Sequence, residues 1–355
     1  MNVPMQNFNM VNTNQILSSI KCPFKCIITN SNINGINESS FINAALQSFA
    51  CLKYINQWIK NLYPNINQIN SDINKIITKE IYNLFSALYS GQIPDSSNLI
   101  FQYMNKSKLK KQDPYHFLFY LIDLLHQENN VISNINYDYT KLSSQSIDSK
   151  KNKDFMRNLF KEFFQQTQNS IFSNYFFNII RNQYSCENCQ DIFFYCYKFI
   201  IKFKMDDYIK ARDEAHPDKA NTNLTLEECF ECYTGGYIEQ CNNCGNFKGN
   251  RYMSFYNPAK ILIIALIRKN HIFKCDLEFK NKFNLNDFNE TGIYTNKDYY
   301  LKACVSLNSQ GIYFSDICIN NYWFRFCLQQ IALLGNVNDD IHTFEPQLLF
   351  YEMEE

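Results

Sequence analysis

The amino-acid sequence predicts an α+β protein in which a helical lobe leads into a lobe built mainly of β-strands. In the first part of the chain apolar residues recur at helical spacing, as they do from Phe41 to Phe49. Later segments are strand-like, and the apolar run Ile261–Ile267 is typical of a strand buried on both faces. Helices followed by strands in this way indicate an α+β architecture.

The helical lobe is predicted to begin at a helix that Ser39 or Ser40 caps and that continues to about Leu62, where Pro64 closes it. Further helices are expected over residues 73–89, 98–109 and 155–166, with a loop over residues 129–153. Asp113 and Pro114 suit the N-cap and first turn of another helix.

Two Cys-x-x-Cys pairs follow, one formed by Cys186 and Cys189 and the other by Cys241 and Cys244. Each short spacer brings two sulfurs to one face of a tight turn, so the four thiolates can close a tetrahedral zinc site. Such a site has no open position for a substrate, and we therefore expect the zinc to be structural. The alternative is four reduced thiols without a metal.

Strands are predicted on either side of these pairs, over residues 191–204 and 249–256. Between them Thr225 suits the cap of a short helix, on which Cys229 and Cys232 are expected to be buried thiols. Zinc ribbons also bind nucleic acid, but Asp and Glu alternate with Lys in this segment, which disfavours a track for phosphates.

Composition limits the possible functions. The formal net charge is +0, so no overall field attracts nucleic acid or an acidic membrane. The first 20 residues contain no basic start followed by an apolar run, and the longest apolar stretch is too short to cross a bilayer. With no export signal, the 14 cysteines predict thiols and metal ligands in a reducing compartment. We expect an intracellular protein, either cytoplasmic or nuclear.

The segment from Ser40 to Gln47 resembles the nucleophile box of the ubiquitin-specific proteases, G-L-x-N-x-G-N-T-C-[FY]-x-N-[AS]-x-L-Q. The matching residues are Phe41, Asn43, Ala44, Leu46 and Gln47. In this register Ser40 occupies the position of the nucleophilic cysteine. The asparagine that helps to form the oxyanion hole of the family is replaced by Gly35.

Three further landmarks of that family occur in the expected order. Gln112-Asp113 resembles the start of its Q-D-A-H-E-F-L helix, and the two cysteine pairs resemble its zinc-bearing fingers. The frame of the C-terminal box follows from Tyr300 to Tyr351. Within that frame Ile312 stands where the resemblance places the catalytic histidine, and Cys327 stands where it places the residue that orients the histidine.

The resemblance implies a papain-like ubiquitin-specific-protease fold with a helical thumb, zinc-ribbon fingers and an antiparallel palm sheet. Residues 1–29 would form an N-terminal extension, and residues 30–355 one domain. In that domain residues 30–175 correspond to the thumb, 176–258 to the fingers and 259–355 to the palm.

Hydrolysis in this family needs a thiolate, a base, an orienting residue and an oxyanion donor, and all four positions are changed here. We therefore expect no enzymatic activity. The protein would act as a binding or scaffold subunit with protein partners, ubiquitin or a ubiquitin-like protein among them, and would neither bind nucleic acid directly nor enter a membrane.

Two alternatives remain open at the level of sequence. One is an active hydrolase that uses Ser40, or a nearby thiol such as Cys51, together with an unorthodox base such as His116 or His342. The other is a purely structural component that no longer binds ubiquitin.

Overall fold

A computed structural model of the chain describes residues 22–29, 39–65, 71–106, 113–132, 145, 147–188, 190–219, 222–239, 244, 249–268, 277–289, 298–337 and 345–354. Within these residues no helix is long and apolar enough to cross a membrane. The predicted sites Gly35, Cys189, Cys241 and His342 lie outside the described residues, as does Gln112.

The helices of the described residues are α1 (Ser40–Ala50), α2 (Lys53–Leu62), α3 (Ile76–Tyr89), α4 (Ser97–Lys106), α5 (Pro114–Asn129), α6 (Ile147–Lys151), α7 (Lys153–Thr167), α8 (Ile171–Phe176), α9 (Met205–Ala215) and α10 (Leu226–Thr234). The prediction of a helical first part is confirmed. Two predicted caps are confirmed as well, because Asp113 accepts a hydrogen bond from the backbone N–H of His116 and Thr225, in the later part of the chain, forms a capping box with Glu228.

Two predictions in the helical part are wrong. The helix that begins at Ser40 does not run to Leu62, because Leu52 adopts an extended backbone and separates α1 from α2. Ser39 occupies the N-cap position of α1, but its side chain makes no capping hydrogen bond. The expected loop over residues 129–153 also contains the short helix α6.

The strands are β1 (Asn178–Cys186), β2 (Gln190–Lys198), β3 (Ile201–Lys204), β4 (Leu224–Thr225), β5 (Tyr237–Glu239), β6 (Gly249–Asn257), β7 (Ile261–Ile267), β8 (Leu277–Glu278), β9 (Lys282–Asn284), β10 (Asp298–Leu307), β11 (Tyr313–Ile319), β12 (Tyr322–Cys327), β13 (Gln330–Asn336) and β14 (Pro346–Met353). Strands β2-β1-β6-β5 form a small antiparallel sheet. The large sheet has the order β13-β12-β11-β10-β14-β7-β3, with β9 beside β10.

The large sheet is antiparallel except at its edge, where β3 runs parallel to β7. Successive residues of β7 enter different cores, since Ile261 and Ile263 pack against the helices α1–α5 whereas Leu262 packs towards α9 and α10. A strand covered on both faces has no polar side, which explains why the predicted strand Ile261–Ile267 is an unbroken apolar run.

Two short connections join the small sheet to the large one, namely residues 199–200 between β2 and β3 and residues 258–260 between β6 and β7. The buried side chain of Asn178 bonds the last residue of β2, which precedes the first connection, and a residue within the second connection. Its Nδ2 donates to the carbonyl oxygen of Lys198 at 3.1 Å, and its Oδ1 accepts from the backbone N–H of Ala259 at 2.9 Å. One amide group thus ties the small sheet to the connection that leads into β7.

Candidate functional site

The residue predicted at the nucleophile position, Ser40, opens helix α1 and is 6% exposed. The apolar face of α1 packs on α5 and β11, with the ring centroid of Phe41 6.4 Å from that of Phe117 and 6.3 Å from that of Tyr313. This packing brings the start of α1 to the start of β11. The backbone N–H of Tyr313 donates to Ser40 Oγ at 3.1 Å.

The residue predicted at the position of the base, Ile312, directly precedes Tyr313 and therefore lies beside Ser40. Its own backbone N–H donates to Asn308 Oδ1 at 2.9 Å within the turn before β11. Gly311 in this turn has a φ of +79°, a conformation that favours glycine. The structure thus brings together the predicted positions Ser40 and Ile312, and an alkyl side chain cannot transfer a proton.

A small cleft, called here the Ser40 cleft, has a volume of about 50 Å³. Its lining includes Cys26, Ser40, Asn43, Gln47, Ser315 and Leu328. Among the described residues this lining contains neither an imidazole nor a carboxylate. The volume is sufficient for a water molecule but far below that of a typical ligand pocket.

The amides of α1 hold the segment of residues 22–29 against the Ser40 cleft. Gln47 Oε1 accepts from the backbone N–H of Ile27 at 2.9 Å, and Asn43 Oδ1 accepts from the hydroxyl of Thr29 at 3.2 Å. Gln47 Nε2 and Ser315 Oγ are buried in the lining without a partner in the described structure. The sequence did not predict that Ser315 lines the cleft, because no local pattern marks it. Gln47, in contrast, belongs to the motif that resembles the nucleophile box.

Burial keeps the thiols of Cys26, Cys327 and Cys51 in the protonated form. Burial raises the pKa of Cys26 to about 11, with smaller contributions from Cys22 and Cys327, and Cys26 Sγ donates to the carbonyl oxygen of Gln330. Burial also raises the pKa of Cys327, at the end of β12. It raises the pKa of Cys51 well above its ordinary value, as expected for a thiol that faces the core. The thiolate is the nucleophilic form, so none of these three residues is activated.

The described imidazoles near the helices of this lobe have partners of their own. His116 Nδ1 lies 2.6 Å from Asp113 Oδ2 in the first turn of α5, where the ring is partly exposed. His126 is buried, with its two ring nitrogens 2.7 Å from Ser170 Oγ and Gln168 Oε1. Burial lowers the pKa of His126, which keeps the ring neutral.

Of the predicted metal ligands, Cys186 and Cys244 belong to the described residues, and Cys186 ends β1 at the far end of the small sheet. The sulfur atoms of Cys186 and Cys244 are 3.6 Å apart. That separation is too long for a disulfide and close to the spacing of about 3.8 Å that two thiolates have on a tetrahedral zinc with bonds of about 2.3 Å. The described residues contain no group of three or more candidate ligands, two of the four predicted cysteines being outside them. The donor atoms that are described fit zinc.

A second concave region, called here the aromatic cavity, has a volume of about 900 Å³. It lies between helices α5 and α7, the strands β2, β3 and β6, and the helices α9 and α10. Its walls carry phenylalanine and tyrosine rings, and Phe177 and Tyr197 stack with centroids 4.6 Å apart. Sequence reasoning did not predict this cavity.

Comparison with known proteins agrees with this geometry. The family model described as ubiquitin carboxyl-terminal hydrolase matches residues 32–351. No curated protein matches the chain at a significant level.

Several solved structures are similar to the chain. A chain of the yeast SAGA DUB module with a Sgf73 point mutant superposes with a TM-score of 0.64 at 16% identity, covering 94% of this chain and 69% of its own. A Ubp8/Sgf11/Sus1/Sgf73 DUB module gives 0.65 at 14% identity, with coverages of 100% and 72%. A SAGA DUB module bound to monoubiquitin gives 0.64 at 14% identity, with coverages of 96% and 73%. At these identities the likeness establishes the fold, and the predicted α+β fold of the ubiquitin-specific proteases is confirmed.

Proposed function

Because the chain belongs to the ubiquitin carboxyl-terminal hydrolase family, we propose that it is a non-catalytic member that acts as a binding or scaffold subunit of a protein assembly. The observation that carries the proposal is the lining of the Ser40 cleft. Within the described residues it provides a serine in place of the thiol and no group able to accept the proton of that serine.

The chemistry explains why this lining is inactive. A serine hydroxyl attacks a carbonyl only when a neighbouring base removes its proton, and the family needs an oriented imidazole for that step. Here Ile312 and Cys327 stand at the two positions concerned, and the raised pKa of Cys327 keeps its thiol protonated and thus unable to act as a base. Ser40 Oγ instead accepts a hydrogen bond from Tyr313, which stabilises the junction of α1 and β11.

The experiment that tests the proposal is an assay with ubiquitin carrying a fluorogenic C-terminal amide. We expect no turnover, and Ser40→Ala should behave as the wild type does. Turnover that Ser40→Ala abolishes would refute the non-catalytic assignment. Titration with labelled ubiquitin separates the two remaining possibilities, since saturable binding supports a ubiquitin-docking subunit and its absence supports a purely structural one.

The similar structures and the aromatic cavity support the proposal that the protein binds protein partners. The similar chains belong to SAGA DUB modules, one of them bound to monoubiquitin. A concave region of about 900 Å³ leaves room for part of a protein partner. Ubiquitin or a ubiquitin-like protein is the first candidate, and the thiol-rich composition fits an intracellular assembly.

We also propose a structural zinc held by Cys186, Cys189, Cys241 and Cys244. The spacing of the sulfurs of Cys186 and Cys244 supports it. The four cysteines would hold the ends of β1 and the segment before β6 together, and zinc would supply cross-linking and no catalysis.

One observation favours an active hydrolase as the second candidate. Asp113 and His116 form a hydrogen-bonded carboxylate–imidazole pair. Burial raises the pKa of Tyr313, the neighbour of Ser40, and the nearby charge of Asp113 raises it further. If this pair acts as the base, His116→Ala should abolish any turnover in the same assay. Turnover that survives His116→Ala would exclude the pair.

A further inference from the structure

The charged side chains in the aromatic cavity are unequal in number. The cations are Lys198, Lys202, Lys204 and Arg251, and the carboxylates are Asp123 and Asp207. Lys204 Nζ lies 3.9 Å from Asp207 Oδ2, so that pair is close to neutral. The formal net charge of the whole chain is +0, and the excess of positive charge in the cavity is therefore a local property.

Two of these lysines lack a carboxylate partner among the described residues. Lys198 Nζ donates to the hydroxyl of Tyr233 at 3.2 Å and lies 5.3 Å from the centroid of that ring. Lys202 Nζ lies over the ring of Tyr115 at 4.7 Å from its centroid. Aromatic rings and a neutral hydroxyl stabilise an ammonium less than a carboxylate does, so both lysines can still bind an anion.

The surroundings of Lys198 make the binding of an anion more favourable. Burial lowers the pKa of Lys198, and the charges of Arg251 and Lys202 lower it further. The protein thus holds three cations close together in a partly desolvated place. A negative charge bound there would relieve their repulsion and would be screened less than on an open surface.

We propose that the aromatic cavity docks an acidic peptide segment of a partner protein, with a bulky apolar side chain between the rings and carboxylates on Lys198 and Lys202. The inference rests on the proposed function as a binding subunit and specifies the chemistry of the partner. The apolar anchor follows from the walls, where Phe160, Phe163 and Phe199 accompany the tyrosines.

A peptide fits the cavity better than a nucleic acid does, although both carry negative charge. Asp123 lines the cavity, and its oxygens can accept the N–H groups of a peptide backbone, which a sugar–phosphate backbone does not offer. The cations also line a compact cavity, whereas single-stranded nucleic acids require an extended track of positive charge.

The test uses the full-length protein and short fluorescent peptides in which glutamates alternate with phenylalanine or leucine. Fluorescence anisotropy should show saturable binding that weakens as salt rises. A peptide with lysine in place of each glutamate should bind at least about tenfold more weakly. The double variant Lys198→Gln/Lys202→Gln should lose about the same factor.

The matched control is Lys210→Gln, which removes the same charge from an exposed side chain of α9 that pairs with Glu214 outside the cavity. It should leave the affinity unchanged. A second measurement needs no lysine variant, because the partly exposed Cys196 lines the cavity. Bound acidic peptide should slow the alkylation of Cys196 by a maleimide, with Cys196→Ser identifying the labelled site.

Equal binding of the acidic and basic peptides, undiminished binding to the double variant, unchanged alkylation of Cys196, or tighter binding of a single-stranded oligonucleotide would each overturn the proposal. These outcomes leave the hydrolysis assay untouched. Failure of this inference is therefore distinguishable from failure of the non-catalytic assignment.

Discussion

The Ser40 cleft and the aromatic cavity are the two concave regions that matter here, and they differ in size and in how their polar groups are satisfied. The cleft measures about 50 Å³, whereas the cavity measures about 900 Å³. Ser40 Oγ accepts a hydrogen bond from the backbone N–H of Tyr313, but Lys198 and Lys202 have no carboxylate partner in the described structure. Of the two regions, only the aromatic cavity has cations that could bind the negative charge of a ligand.

The largest effect is expected from removing the proposed zinc, which should loosen the strands around the aromatic cavity and leave the Ser40 cleft unchanged. A structural zinc contributes on the order of 10 kcal/mol to the folding of its site, so a chelator should loosen β1, β2 and β6, which wall the cavity, and spare β10 and β11. Hydrogen exchange measured peptide by peptide checks this. Cys186→Ser should reproduce the loosening, whereas Cys232→Ser, which changes a thiol outside the two pairs, should not. Unchanged exchange in the small sheet after chelation would count against the metal.

The next effect concerns the strands that carry the Ser40 cleft. Asp316 on β11 is fully buried and accepts hydrogen bonds from Nε and Nη2 of Arg325 at 2.8 and 2.9 Å. Arg325→Leu leaves a buried carboxylate unpaired and should lower the free energy of unfolding by roughly 3 kcal/mol. Urea denaturation measures the change. Asp316→Asn combined with Arg325→Leu should recover part of it, and an equal loss in the double variant would show that the charge is not the cause.

Two buried titratable groups, one outside both concave regions and one in the wall of the aromatic cavity, should give opposite responses to pH. Glu352 on β14 is buried, and burial raises its pKa to about 7, although the charge of Lys302 and the backbone N–H groups of Tyr54 and Lys53 lower it in part. The folded state then binds the proton more tightly than the unfolded state does. The contribution of Glu352 to the free energy of unfolding should be fully present below its ordinary pKa of 4.5. It should fall by up to ~3 kcal/mol as the pH rises to about 7. Thermal unfolding of Glu352→Gln across this range should lack that slope.

His126, in the wall of the aromatic cavity, should give the opposite slope. Burial lowers its pKa from the ordinary value of 6.5, so the folded state disfavours the imidazolium. Its contribution to stability is present above pH 6.5 and is lost as the pH falls further, because the unfolded state binds the proton first. The melting temperature of His126→Gln should decline less on acidification than that of the wild type. An identical decline would assign the acid sensitivity to other groups.

The smallest effect is expected at Ser40 itself. Ser40→Ala removes one acceptor for the N–H of Tyr313 and should cost about 1 kcal/mol. Since the Ser40 cleft takes no part in docking, the affinity for the acidic peptide should not change. A large loss of affinity would show that the two regions are coupled.

Sequence reasoning succeeded where a local pattern has one physical solution. The run Ile261–Ile267 became the doubly covered strand β7, and Asp113 and Thr225 cap the helices they were predicted to cap. The order of the motifs was sufficient to place Ile312 beside Ser40. In these cases burial or a backbone hydrogen bond acts within a few residues.

The missed features depend on contacts between distant segments. Cys51 and Leu52 fit a continuous helix by propensity, but the chain turns there so that both α1 and α2 bury their apolar faces. The cations of the aromatic cavity come from β2, β3 and β6, and no local spacing shows that they converge. The alternation of Lys198, Lys202 and Lys204 with aromatic and aliphatic residues was the only signal in the sequence.

Asn178 has a consequence for how a partner is selected. Its single buried amide is bonded to the carbonyl oxygen of Lys198 and to the N–H of Ala259, at the two places where the small sheet meets the large one. Pivoting the small sheet on the large one would strain the bond to Ala259, which lies inside the protein where no water replaces it. This bond therefore favours one width of the opening between the sheets, and we expect a partner that already has that width to bind best.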